Sequence, residues 1–288
     1  MKLSYSQAQE ISQSLDIAGR KMDFGLDFDD VPRHWITNNP FRSTFMNALS
    51  CMFPEGERMF MDAVRDCQDR IKDPSPKLLE QIKGFIKQEA IHGHEHAQYN
   101  DFLRKWGYPI DKINRFEKKE KIWMRKNVPA SHRLAITCAL EHFTAIMAHQ
   151  VLTNPMATRD MHPQFKEMWR WHAIEETEHK AVAFDVYQAA VDRYWLRVLT
   201  MLQVTFFFCL RTTLYQTIFL WKDGKLFSPK VWWQGLKFYF FEDRGRGLVV
   251  SIWKDYLDYF KRDFHPWQHD NRALLNEWDQ EGHSYKTV

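Results

Sequence analysis

The chain has 288 residues, enough for one large domain or for a core domain with an appended part. Its formal net charge is +3, from 40 Lys and Arg against 37 Asp and Glu, so the charge gives no signal for a nucleic-acid partner. A hydrophobic content of 44% excludes disorder as the main state, and only 11 Gly and 11 Pro favour a mostly helical protein.

The cysteines and the N-terminus indicate a reducing compartment. The four cysteines are far apart and form no Cys-x-x-Cys pair, which argues against a zinc knuckle and a disulfide scaffold. The first 16 residues, MKLSYSQAQEISQSLD, lack the apolar stretch of a secretory signal. We therefore expect a cytoplasmic protein.

The first two thirds of the chain predict a helical bundle behind an irregular lead-in. Residues 1–38, which contain DFGLDFDDVP, are predicted as an irregular segment, and residues 39–194 as the main domain. Proline-containing turns divide the main domain into helices that we expect over 40–52, 54–71, 77–106, 111–126, 129–153 and 163–194. The fourth of these is highly charged and is predicted as an outer, solvated element. Four long helices of this kind predict an all-α fold built on a four-helix bundle.

Residues 195–288 predict an aromatic-rich helical extension packed on the bundle. The stretch 195–221 is strongly apolar, but its uninterrupted part, 198–210, is shorter than the roughly 20 residues that cross a bilayer. The aromatic stretches that follow are flanked by Lys and Arg. Two interpretations remain open for 195–267: packing against the bundle, or a surface that contacts a membrane interface or a lipid-like ligand.

Two Glu-x-x-His pairs are the strongest chemical signal in the sequence. Glu89 and His92 occur in KQEAIHGHEH, and Glu176 and His179 occur in WHAIEETEHK. On a helix, positions i and i+3 project from the same face, so each pair can bind one metal ion. A single pair is weak evidence, because acids and histidines form such pairs by chance.

A glutamate on a preceding helix strengthens each pair. Glu57 comes before the first pair and Glu141 before the second, so the chain presents Glu and then Glu-x-x-His twice. This order matches the ligands of ferritin-like di-iron carboxylate bundles. Each acid lies on an otherwise apolar helical stripe, and four buried carboxylates require a cation because an unpaired buried charge is very costly.

Further polar residues lie on the same helix faces. His172 is predicted as a third nitrogen ligand, with a hydrogen-bonding role as the alternative. For His96 we favour hydrogen bonding around the ligands or a role in the core, with metal ligation as the alternative, and Glu175 and His149 are further candidates for the hydrogen-bonding role. The predicted metal ligands are Glu57, Glu89, His92, Glu141, His172, Glu176 and His179.

The motifs resemble two groups of proteins. The run His172-x-x-x-Glu176-x-x-His179 is similar to that of the arylamine N-oxygenases, whose di-iron centre has a third histidine. A closer resemblance, over residues 40–270, is to the bacterial family called predicted metal-dependent hydrolases. It rests on FPEGERMF (53–60), IKQEAIHGHEHAQYN (86–100), EHFTA (141–145), WHAIEETEHKAVAFDVY (171–187) and FHPW (264–267).

These observations lead to one expected function and two alternatives. We expect an oxygen-activating di-iron oxidoreductase of the oxygenase or oxidase type, such as a monooxygenase, acting on a hydrophobic compound, with acyl or lipid-like compounds among the candidates, and with dioxygen and an electron donor as partners. Carboxylate and imidazole ligands suit two iron ions, with manganese–iron or two manganese ions as alternatives. The alternatives are a two-metal-dependent hydrolase and, third, iron storage. The protein is expected in the cytoplasm, free or peripheral at the inner membrane face, and its oligomeric state is left open, with a homodimer among the alternatives.

Overall fold

The computed structural model describes residues 2–25, 30–242, 246–283 and 285–287. Part of the DFGLDFDDVP stretch, residues 26–29, lies outside the described residues. The described chain is predominantly helical, which confirms the predicted all-α bundle. Its elements in order are α1 (Tyr5–Ser14), β1 (Arg20–Met22), α2 (Pro40–Gln68), α3 (Pro76–Lys105), α4 (Ile110–Asn127), α5 (Ala130–Thr153), α6 (Pro155–Thr158), α7 (Pro163–His179), α8 (Val182–Ala190), α9 (Tyr194–Lys222), α10 (Pro229–Leu236), a π-helical turn (Lys237–Phe241), α11 (Leu248–Asp258), a 3₁₀ turn (Pro266–Gln268), α12 (Arg272–Gln280) and β2 (Tyr285–Thr287).

Helices α2, α3, α5 and α7 form the four-helix bundle. Helix α2 packs on α3 and α5, and α7 packs on α5 and α3. Their apolar stripes supply the core, with fully buried side chains such as Phe85, Leu134 and Phe165. Helix α9 covers α2 and α5 from outside, α4 lies along α2, and α11 packs on α5. The sequence-predicted ligands are therefore carried by the four helices that face one another.

Helix α2 is continuous, so the predicted break before Pro54 is wrong. A proline inside a helix has no N–H and leaves the carbonyl four residues earlier, that of Ser50, without its usual donor. The side-chain amide of Asn100 on α3 donates to that carbonyl at 3.1 Å. The neighbouring helix thus replaces the hydrogen bond that proline removes.

The helix predicted over 163–194 is instead two helices, α7 and α8, which are separated at Lys180 and Ala181. Lys180 is buried at the break, and its Nζ donates to the backbone carbonyl of His269 at 2.7 Å and to Oδ1 of Asn271 at 2.6 Å. A buried ammonium without acceptors would be very costly, and the break occurs where these two acceptors are in reach.

The N-terminal segment is more regular than predicted. Helix α1 begins with a capping box, in which Gln7 N donates to Ser4 Oγ and Ser4 N donates to Gln7 Oε1. Strand β1 pairs antiparallel with β2 near the other end of the chain, with Arg20 opposite Thr287. The sequence contained the Ser-x-x-Gln signal of the helix, but not the long-range pairing that forms the strand.

Helix α9 is the longest apolar element of the extension. Within the described residues, α9 is the one helix whose length and composition would allow it to cross a membrane. Of its most apolar stretch, 33% is buried against the protein. Arg197 anchors it, donating to the backbone carbonyls of Tyr259 and Lys261. The extension therefore packs on the bundle along one side of α9.

Candidate metal centre

The predicted ligands meet at the centre of the bundle. None of the seven is more than 3% exposed. Helix α2 contributes one carboxylate, α3 a carboxylate and an imidazole, α5 a carboxylate, and α7 a carboxylate and two imidazoles. Four helices thus bring four acids and three histidines into one buried volume.

The donor atoms form two overlapping groups. The first contains Glu89, Glu176 and His179, and the second contains His92, His172 and Glu176; within each group the donor atoms lie within 4.8 Å of one another. Glu176 belongs to both groups. This arrangement suits two cations that share a carboxylate.

The remaining carboxylates lie at opposite sides of the cluster. Glu57 forms a further group with Glu89 and His92 within the same 4.8 Å limit, so Glu89 also takes part on both sides. Glu141 Oε2 is 3.6 Å from His179 Nε2. Each side therefore has its own carboxylate in addition to the shared ones.

The inward-facing atoms of this cluster have no hydrogen-bond partner within the part of the chain that the structure describes. They are both carboxylate oxygens of Glu57, Glu89 and Glu141, Oε2 of Glu176, Nδ1 of His92, and Nε2 of His172 and His179. Buried polar atoms are nearly always paired, and leaving one unpaired costs about 1–3 kcal/mol. So many unpaired oxygen and nitrogen atoms in one place, all of which can bind metal, fit a pair of bound cations.

The residue before each Glu-x-x-His motif holds the histidine of the other motif. Glu175 Oε2 accepts from Nε2–H of His92 at 3.0 Å, and Gln88 Oε1 accepts from Nδ1–H of His179 at 2.8 Å. Each bond fixes a proton on the outer nitrogen and leaves the inner nitrogen facing the cluster. Glu175 lies where a hydrogen-bonding role was predicted. Gln88 was missed, although its position before Glu89 matches that of Glu175 before Glu176.

A second layer of charge supports these two residues. Gln88 Nε2 donates to Glu178 at 2.5 Å, and the guanidinium of Arg20 donates to both oxygens of Glu178 at 2.7 and 2.9 Å. The backbone N–H of Arg20 also donates to Glu175 Oε1 at 2.9 Å. Strand β1 therefore braces both motifs, a role that the sequence did not reveal because the segment carries no motif.

Hydrogen bonds also fix the orientation of His172. The Ser50 hydroxyl donates to Asn100 Oδ1 at 3.0 Å, so its oxygen accepts from His96 Nδ1 at 2.9 Å. His96 Nε2 is then the acceptor for Nδ1–H of His172 at 3.0 Å. This leaves the lone pair of His172 Nε2 only 3.0 Å from Glu176 Oε1, a contact that a cation between them would stabilise. Both ring nitrogens of His96 therefore take part in this chain of hydrogen bonds.

The protonation of the cluster reflects its burial. Burial raises the pKa of Glu57 and Glu141 well above the ordinary carboxyl range, and the neighbouring carboxylates add to the effect. Burial alone would lower the pKa of His92, but its hydrogen bond with Glu175 and the nearby carboxylate of Glu176 raise it to about 10. Without metal the cluster therefore holds protons where cations would otherwise bind.

His149 does not take part in the cluster. Its Nδ1 is 3.0 Å from the side-chain amide of Asn271, and it makes no hydrogen bond to a predicted ligand. It follows Glu141 by eight residues, about 2.2 helical turns, so it projects about 80° around the helix from that ligand. The structure therefore does not place His149 in the predicted hydrogen-bonding role around the ligands.

Two apolar cavities lie beside the cluster. The smaller, of about 80 Å³, reaches His172 and Glu176 and is otherwise lined mainly by apolar side chains, such as Phe45 and Trp169. The larger, of about 370 Å³, lies between α2, α4, α5 and α9. The two share wall residues Leu49, Phe53, Thr144 and Met147. Approach to the cluster is thus through apolar surroundings.

The fold and the site together define an all-α bundle protein with a buried carboxylate–histidine cluster of metal-binding composition. The comparison with family models then places the chain: it belongs to the family described as predicted metal-dependent hydrolase, whose model matches residues 18–270. This confirms the resemblance that the motifs carried. The comparison with curated proteins gave no match, and neither did the comparison with solved structures.

The family match corrects the expected reaction. The oxygen-activating di-iron oxidoreductase is wrong, because the family supports metal-dependent hydrolysis, which was the stated alternative. The error has a physical cause: ligand type and spacing indicate metal binding, but a metal site of this composition can activate water or dioxygen. Dioxygen and an electron donor were expected only for the redox reaction, and hydrolysis needs neither.

Proposed function

We propose that the protein is a hydrolase that depends on two metal ions held by Glu57, Glu89, His92, Glu141, His172, Glu176 and His179. The observation that carries this proposal is the set of buried, inward-facing donor atoms without hydrogen-bond partners. The family match supplies the reaction class.

The ligands divide between two positions. His92 and His172, with Glu57, would hold one ion, and His179, with Glu141, would hold the other. Glu89 and Glu176 belong to donor groups on both sides of the cluster and would complete the set that holds the ions. Carboxylate and imidazole donors without a thiolate suit manganese or ferrous iron, and we propose one of these as the native metal.

When bound, two such ions lower the pKa of a coordinated water and stabilise charge on the reacting group. The protein's own contribution is to orient the donors. Gln88 and Glu175 accept from the outer nitrogens of His179 and His92, so the inner nitrogen of each ring faces the cluster and loses its proton when metal binds. Burial of the carboxylates keeps bulk water from competing for them.

The smaller cavity defines the kind of substrate that fits. It leads to His172 and Glu176 between apolar side chains that include Phe53 and Met147. A hydrophobic group next to the bond to be cleaved can occupy this space without leaving polar atoms unpaired. We therefore propose hydrophobic substrates, such as esters or amides of apolar acids.

The test begins with metal. The purified protein is stripped with a chelator, reloaded with Mn²⁺ or Fe²⁺, and assayed against chromogenic esters and anilides of increasing acyl length, with and without dioxygen. We expect hydrolysis only in the loaded form, at the same rate without dioxygen. Glu176→Ala should abolish it, and Glu80→Ala, at an exposed position on α3, should not. Equal hydrolysis by the metal-free protein, or none in any loaded form across the panel, would refute the proposal.

A further inference from the structure

The outer surface of the extension exposes many apolar side chains. Among the described residues, every exposed large hydrophobic side chain except Leu79 lies on α4 or within residues 195–257. They are Phe116, Ile122 and Trp123 on α4, Trp195, Leu199, Leu202, Phe206, Phe207, Leu210, Leu214 and Trp221 on α9, Phe227, then Trp232, Trp233, Leu236, Phe240 and Phe241, and Val249, Val250, Trp253 and Leu257 on α11. We call this set the aromatic face. Patches of this extent on soluble proteins mark sites of interaction.

The helices of the aromatic face are joined to one another. Arg211 of α9 pairs with Glu120 of α4 at 2.5 Å. Elsewhere on α9, Thr205 Oγ1 is 2.9 Å from the hydroxyl of Tyr256 on α11. Helix α9 therefore contacts both α4 and α11, and its exposed stripe runs along about 40 Å of helix, from Trp195 to Trp221.

The geometry of α9 indicates contact with a surface and not a membrane span. Its inner side packs on α2 and α5, and its buried residues run from Arg197 to Leu220. Arg197 and Arg211 tie it to the rest of the protein near its start and middle. A span would have to break these contacts, whereas a helix lying in the interface plane keeps them and uses only its exposed stripe.

The aromatic face is positively charged. Residues 195–241 contain six Lys and Arg against one Asp, a net charge of +5, although the whole chain carries +3. Helix α4 contains seven Lys and Arg against three Asp and Glu, a net charge of +4. Four exposed lysines have no carboxylate partner among the described residues: Lys222, Lys225, Lys230 and Lys237. Basic side chains beside exposed Trp and Phe match an anionic lipid interface.

The larger cavity opens on the same face. Its wall includes Trp123 and Phe207, whose side chains are both at least half exposed. An acyl chain from a bilayer can enter such an opening, whereas a second folded copy of the protein would only cover it. A second copy would also bring two faces of the same positive charge together, which is unfavourable.

We propose that the aromatic face binds an anionic lipid bilayer, with α9 lying in the membrane interface. The proposal does not depend on hydrolysis, because it rests on a surface that shares no residue with the metal centre. Binding combines insertion of Trp and Phe side chains with attraction between the lysines and anionic headgroups.

The test is sedimentation of the metal-loaded protein with vesicles. One set contains phosphatidylcholine alone, and the other contains about 30% phosphatidylglycerol, each at about 0.1 M and about 0.5 M salt. We expect the wild type to sediment with the anionic vesicles at low salt, and to do so at least about tenfold less with neutral vesicles or at high salt. This comparison needs no variant and cannot fail through misfolding.

Two pairs of matched variants locate the surface. Lys225→Glu with Lys230→Glu should weaken binding at least about tenfold, whereas Lys83→Glu with Lys87→Glu, exposed on α3, should change it little. Phe206→Ser with Trp233→Ser should also weaken it, in contrast to Leu79→Ser at the exposed apolar position off the face. Unchanged metal content shows that each variant is folded.

Three results would overturn the proposal. The first is wild-type protein that stays in the supernatant with anionic vesicles. The second is equal binding to neutral vesicles at both salt concentrations. The third is a stable dimer in sedimentation velocity that does not bind vesicles and that Phe206→Ser with Trp233→Ser converts to monomer, which would assign the face to a second copy. If the metal-loaded protein binds lipid but hydrolyses no substrate of the panel, the proposed function is refuted and this inference stands.

Discussion

The interior of the bundle and the aromatic face depart from ordinary protein structure in opposite ways. The interior buries carboxylates and imidazoles whose inner atoms have no partner among the described residues. The aromatic face exposes apolar side chains, such as Phe227 at 89% exposure, that have no protein to pack against. Buried polar groups without partners and exposed apolar groups without cover both cost free energy, so each region indicates a binding partner of its own kind.

The two regions differ in the number of specific hydrogen bonds that surround them. The metal centre is braced on every side, by Gln88, Glu175, Arg20 and the chain of hydrogen bonds through His96. The aromatic face is held together by few specific hydrogen bonds between its helices. Cations need donors at fixed positions, whereas a fluid bilayer needs only apolar area and charge. The comparison therefore predicts that the interior is sensitive to single atoms and that the face is not.

The largest effect is expected at the carboxylate that both ligand groups share. Glu176→Ala should remove both metal ions, because Glu176 lies in the group of His179 and in that of His92 and His172. Metal analysis after dialysis measures this, with Glu80→Ala as the control that keeps two ions per chain. Two tightly bound ions in Glu176→Ala would show that the cluster is not the metal site.

A smaller loss is expected from the residues that brace the ligands. Gln88→Leu removes the acceptor for Nδ1–H of His179 and should weaken metal binding by about 10–100-fold, as loss of such supports does in other metal sites. Competition with a chelator measures the affinity. Gln98→Leu, at an exposed position on the same helix, is the matched control. An unchanged affinity in Gln88→Leu would mean that His179 needs no support.

The metal-free protein should lose stability as the pH rises. His92 has a folded pKa of about 10 against 6.5 unfolded, so its contribution is complete below pH 6.5 and is lost as the pH rises toward 10. The raised pKa of Glu57 acts in the same direction. The metal-loaded protein lacks this loss, because metal replaces the protons.

The measurement is the melting temperature of both forms between about pH 6.5 and 10. Groups far from the site affect both forms equally and cancel in the difference. We expect the gap between the loaded and the metal-free form to widen with pH. Parallel curves would contradict the protonation of the cluster.

The smallest effect is expected on the aromatic face. Phe227→Ser should change the free energy of unfolding by no more than about 0.5 kcal/mol, because the side chain is almost fully exposed. By contrast, Phe85→Ala, at a fully buried position in the bundle, should cost about 3–5 kcal/mol. Urea unfolding compares the two. A large loss in Phe227→Ser would show that the face is packed in solution.

That the predicted ligands come together could be predicted because it depends on local spacing. Glu89 with His92, and Glu176 with His179, share a helix face whatever the rest of the fold does, and the apolar stripes orient those faces inward. The boundaries of α3, α4 and α5 followed from proline and turn residues in the same way. These signals act within a few residues of one another.

The features that were missed depend on contacts between distant segments. Pro54 remains inside a helix because Asn100 satisfies the carbonyl of Ser50, and nothing near Pro54 in the sequence indicates this. Arg20 reaches Glu178 only after β1 has paired with β2. The reaction could not be read from the ligands either, because the same donors serve redox and hydrolytic metal ions.

The proline in α2 also affects which ring nitrogen of His172 carries no proton. The amide of Asn100 donates to the carbonyl that Pro54 leaves open, and this turns the oxygen of the same amide toward the Ser50 hydroxyl. With that amide reversed, every donor and acceptor from Ser50 through His96 to His172 would exchange roles, and the proton would sit on the nitrogen that faces Glu176. The hydrogen bond to the carbonyl that a proline leaves open thus selects the tautomer of a residue on another helix.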